Sequence, residues 1–89
     1  MPYINKESRE QYKAWLDQMP ACICAGNLNY LISMICHKFV LKAPKIDYAL
    51  LNLVVGVLDS AKAEFQRVVV APYEERKIEQ NGPISELDT

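Results

Sequence analysis

Lys45–Val70 reads KIDYALLNLVVGVLDSAKAEFQRVVV, a stretch with no proline, one glycine and apolar residues on nearly every side of a helix. A helix that is apolar all round is buried all round. A chain of 89 residues has too little of itself to cover such a helix. The stretch therefore predicts an all-α fold completed by another copy of the same chain, as a dimer or a higher homo-oligomer. The run is long enough to cross a bilayer, but Asp47, Asn52, Asp59, Lys62, Glu64 and Arg67 interrupt it. Each charge is costly at mid-bilayer, so the expectation is a soluble buried helix and no membrane partner.

Proline is well suited to a first helical turn, so this third helix is expected to begin near Pro44 and to continue to about Ala71. Upstream, Asn27 to Lys42 forms a second helix that ends before Pro44. Its core stripe is Leu28, Leu31, Ile32, Ile35 and Phe39, with Tyr30, Met34 and Leu41 on another face. Asn29, Ser33 and His37 make a polar line between the two. At about 1.5 Å per residue the second helix spans roughly 24 Å and the third roughly 40 Å. An antiparallel hairpin of the two leaves about ten residues of the third overhanging by the same measure. Asn52, Gly56, Asp59, Ala63 and Gln66 recur along the third helix at spacings of four and three. That seam suits either a solvent strip or a close helix crossing.

The N-terminal helix runs from about Lys6 to Met19, with Asn5 as N-cap and Pro20 as its stop. Tyr12, Trp15, Leu16 and Met19 form its single apolar stripe. Beyond Pro72, Tyr73–Gln80 is helical in composition, either as a kinked continuation or as a short new helix. Asn81-Gly82-Pro83 stops it, with a left-handed residue before a proline. The architecture expected is thus a helical hairpin with an N-terminal amphipathic helix and a short C-terminal helix. Residues 1–82 form one domain, and 83–89 form a flexible tail.

Net charge is −1 and the pI is 5.7, so no basic field exists to hold a nucleic-acid polymer. Cys22, Cys24 and Cys36 are an odd count behind an N-terminus, MPYINKESRE, that lacks the order of a secretion signal. A reducing, cytoplasmic compartment and free thiols follow. The C-x-C spacing is too tight for the usual zinc pair, so no metal and no cofactor are expected. His37 has Ser33 one turn before it, but no oxyanion hole, phosphate loop or paired-carboxylate signature accompanies them. The chain reads as a non-enzyme.

Five tyrosines against two phenylalanines supply flat faces that either pack at a bundle rim or stack nucleobases. In the second case Tyr30 and Tyr73 stack, Arg67 and Lys77 meet phosphate, and Asn29 and Asn81 fix orientation through paired donors and acceptors. Arg76 and Lys62 are further cations of the same kind.

The opening Met-Pro-Tyr-Ile, the segment Gly26-Asn27-Leu28-Asn29-Tyr30 and the ending Ala71-Pro72-Tyr73-Glu74-Glu75-Arg76-Lys77-Ile78-Glu79-Gln80-Asn81-Gly82 together resemble a family of small proteins of tailed phages, bacteria and archaea, a domain family of unknown function. The family pattern has arginine pairs before the valines and aspartate after the final glycine, where this chain carries Gln66-Arg67 and Pro83. The resemblance implies no catalytic residue. In architecture alone, phage anti-defence sponges that sequester cyclic nucleotides are similar: small helical oligomers with pockets between protomers. The function expected is a phage-type accessory protein that sequesters a small nucleotide-like immune signal between protomers. The alternative is a helical protein–protein module that docks on a host or phage protein.

Overall fold

A computed structural model describes residues 2–89, and among them every regular element is helical. Helix α1 is Lys6–Asp17, α2 is Ala25–Leu41, and α3 is Tyr48–Phe65. A π-helical segment, Gln66–Val70, follows α3 directly and runs straight into α4, Ala71–Asn81. A short 3-10 turn, Glu86–Asp88, closes the chain. The fold divides into two units, one ending at Gly56 and the other spanning Val57–Thr89.

Local chemistry sets each helix start. Asn5 Oδ1 accepts the Ser8 N–H at 2.9 Å, the expected N-cap of α1. Cys24 does the same for α2 with a thiol: its Sγ accepts the Asn27 N–H at 3.5 Å. Helix α3 starts at Tyr48, not near Pro44, because Asp47 Oδ1 takes the Leu50 N–H at 2.9 Å. A carboxylate that satisfies an orphan donor at the first turn outweighs the fitness of proline for it.

Pro72 lies in the first turn of α4, the short new helix of the two alternatives, which follows the π segment without a loop. It has no N–H, and its ring crowds the carbonyl four residues back. The backbone answers by widening just ahead of it, where the Ala71 N–H reaches Gln66 O, five residues back. Such single-turn π segments let a helix carry a local misfit. Helix α4 then ends at Gly82, whose N–H meets Ile78 O at 2.8 Å. Gly82 has φ 86° and ψ 161°, so the left-handed helical conformation expected there is not adopted. The following proline forces an extended ψ on the residue before it, and only glycine tolerates that ψ with a positive φ.

No side chain is buried among the described residues. Within the unit ending at Gly56, the backbones of α2 and the opening turns of α3 make no close approach among the described residues. Neither helix has a single apolar stripe to select the other, so each keeps apolar faces open. Nothing lies within 4 Å of where a Cβ would stand at Gly56, so no close helix crossing is made at that position. Beyond α4 the tail is shaped rather than featureless: Ser85 and Asp88 form a reciprocal capping box around the 3-10 turn.

Candidate functional site

The six residues expected to hold a ligand fall in both units. Asn29 and Tyr30 sit on α2, in the unit ending at Gly56. Asn29 Oδ1 accepts the Ser33 hydroxyl at 3.2 Å, one turn along the helix. That bond engages one lone pair of the Asn29 amide oxygen and the single hydroxyl proton of Ser33. Tyr30 is 68% exposed and presents its ring to solvent.

The other four lie in the second unit. Arg67 is in the π segment, and its Nη2 meets Glu64 Oε1 at 2.7 Å, with Arg67 69% and Glu64 21% exposed. Its guanidinium is thus partly engaged before any phosphate arrives. Tyr73, Lys77 and Asn81 are spaced four apart on α4 and share one face. The Lys77 Nζ stands 5.5 Å from the centroid of the Tyr73 ring, and the Arg76 guanidinium stands at 5.8 Å. Lys77 also reaches Gln80 Oε1 at 3.4 Å. Helical spacing puts Glu75 and Glu79 on the far side with Ile78, so α4 separates a cationic aromatic face from an acidic apolar one.

This cluster can bind an anion that carries a flat ring. A base stacking on Tyr73 displaces a cation from the ring, and an exposed cation–π contact costs only about 0.5–1 kcal/mol to give up. The displaced cation is then placed to meet phosphate. Tyr73 and Lys77 are therefore brought together with Asn81, Arg76 joins them, and Arg67 is paired to Glu64.

A second feature was not anticipated from sequence. In the first unit Tyr12, Trp15 and Leu16 of α1 and Leu31, Ile35 and Phe39 of α2 line a groove of about 720 Å³. Lys38 and Lys42 also line it, and no carboxylate does. The signal available was a lysine pair one turn apart on α2 with no acid one turn away to pair with it. The three cysteines are free. Among the described residues no group of three His, Cys, Asp or Glu side chains is placed to hold a metal. No described helix is long and apolar enough to cross a membrane.

Neither a curated protein nor a solved structure matches the chain. A family profile does, over residues 1–84. Its span takes in the Leu28-Asn29-Tyr30 segment, the Pro72 break and the whole cationic face of α4. The chain belongs to the family described as Domain of unknown function (DUF6899).

Proposed function

We propose that the protein is a non-enzymatic module that works as a homo-oligomer and sequesters a small nucleotide-like anion between protomers. The observation that carries this reading is the absence of any buried side chain among the described residues of an apolar helical chain. The hydrophobic effect is the dominant drive to fold, and here it is left unspent within one chain. Copies of the same chain are its most economical outlet. The Tyr73–Arg76–Lys77 cluster supports the ligand class, since it combines a stackable ring with two cations on one helical face. Tyr30, Asn29, Arg67 and Asn81 complete the proposed set from the protomers around it. In biological terms the protein is a sponge that lowers a nucleotide signal by stoichiometric capture, the role of a phage anti-defence factor.

The second reading is a protein–protein module, favoured by the same exposed apolar faces. Native mass spectrometry on gently purified protein separates the two. A discrete oligomer with a reproducible adduct in the mass range of a nucleotide supports the sponge. A clean oligomer without adduct, with no thermal shift from a panel of cyclic and linear nucleotides, favours the module.

A further inference from the structure

We infer that the C-terminal turn of one copy docks in the α1–α2 groove of a second copy, an interface that rests on the assembly proposed above. The turn is an apolar hook left in water. Ile84 is 97% and Leu87 99% exposed, yet the backbone between them is held in one shape. Asp88 Oδ2 accepts the Ile84 N–H and its Oδ1 the Ser85 N–H, both at 3.0 Å. Ser85 Oγ accepts the Leu87 N–H at 3.1 Å, and the Thr89 hydroxyl donates to Glu86 O at 2.9 Å. A preformed segment loses little further freedom on docking. Pro83, with its fixed φ, follows Gly82 at the root of the turn where α4 ends.

The groove matches this hook in charge, size and polarity. Residues 83–89 carry Glu86 and Asp88 and no cation. The groove carries Lys38 and Lys42 and no carboxylate, and neither lysine makes an ion pair among the described residues. Its 720 Å³ is within the roughly 300–1,000 Å³ of clefts that enclose a drug-sized molecule, a bulk comparable to a few side chains. Each copy owns both a hook and a groove, so two copies can exchange hooks reciprocally and close with two-fold symmetry.

Trp15, the only tryptophan in the chain, lines the groove and reports its occupancy. In wild type its emission should shift to shorter wavelength as concentration rises. Leu87→Asp should keep its helical circular dichroism, lose that shift and associate about tenfold more weakly or worse. A Lys38→Glu/Lys42→Glu variant should do the same. Mixing the Leu87→Asp chain with a Lys38→Glu/Lys42→Glu chain that also carries Trp15→Phe should restore the shift, because an intact hook then meets an intact groove across two chains. Unaltered mass and emission in Leu87→Asp would overturn the docking and leave the assembly standing. A wild-type shift that is the same at every dilution would overturn it too, in favour of the chain's own hook. A monomer at every concentration removes both the docking and the assembly.

Discussion

Under the proposed assembly, dilution is the perturbation to which this protein should be most sensitive, since no described side chain is buried within one chain. The chain exposes 8218 Å², whereas a compact monomer of 10.1 kDa is expected to expose about 5,300 Å². The difference, about 2,900 Å² per chain, comes to about 5,800 Å² for a pair, at or beyond the upper end of the roughly 2,000–5,000 Å² in total that obligate dimers and permanent complexes bury. A helix of the length of α1 (12 residues) is marginal in water when isolated. Its helicity should therefore be lost with the interface rather than after it.

Unfolding coupled to dissociation makes the melting temperature depend on concentration. Each tenfold dilution removes about 1.4 kcal/mol from a dimer. For a cooperative unit of two such chains this corresponds to a fall of about 3–6 °C per tenfold dilution. Far-ultraviolet circular dichroism over roughly four decades of concentration, a span worth about 5.5 kcal/mol, measures it directly. A sharp melting transition that stays at one temperature across that range would refute the reasoning, since it would mean that one chain folds cooperatively by itself.

Three further perturbations test local claims. Asp47→Ala removes the bond to the Leu50 N–H and should cost about 1 kcal/mol, read as a lower melting temperature, with loss of protection of the Leu50 amide in hydrogen exchange. Under the proposed function, Arg67→Ala should destroy nucleotide binding while changing stability by less than about 1 kcal/mol, because the Arg67 side chain is 69% exposed; isothermal titration beside a thermal melt checks both. Backbone N–H groups of Ser85 and Ile84 hold the Asp88 carboxyl below its ordinary value of 3.8, so the C-terminal turn should keep its full support above that value and lose it as pH falls through the lower one. The Ile84 and Ser85 amide resonances, followed in an acid titration, should move together with the Asp88 carboxyl.

The features legible in the sequence were those that a few consecutive residues decide. Asn5 caps α1 because the side chain that accepts and the amide that donates are three residues apart. Tyr73, Lys77 and Asn81 share a face because helical spacing puts them there. Asp47 was equally local, yet Pro44 is the louder signal for a helix start, and only the Leu50 bond shows which prevailed. The π segment has no signature in Gln66–Val70 itself: it is the backbone's answer to a proline that follows. The Gly82 conformation has the same origin, since Pro83 reaches back to set its ψ. The groove was illegible for another reason, because it exists only where α1 and α2 bring their side chains to one place.

Assembly and ligand capture should then be one equilibrium. On an exposed helix, cations beside Tyr73 meet phosphate in water, where charge pairs are screened and worth little. Between protomers the same groups lose solvent, and each charge-assisted bond strengthens as the local dielectric falls. A ligand that binds only the assembled form stabilises it by RT ln(1 + [L]/Kd), about 2.7 kcal/mol at a hundredfold excess over Kd. That quantity is nearly twice the 1.4 kcal/mol of a tenfold dilution. Bound nucleotide should therefore displace the dissociation curve by close to two decades of protein concentration. The coupling is reciprocal, so a variant that weakens the interface without touching Tyr73, Arg76 or Lys77 must weaken capture as well. This follows from the proposed assembly, since none of the described side chains is buried within one chain.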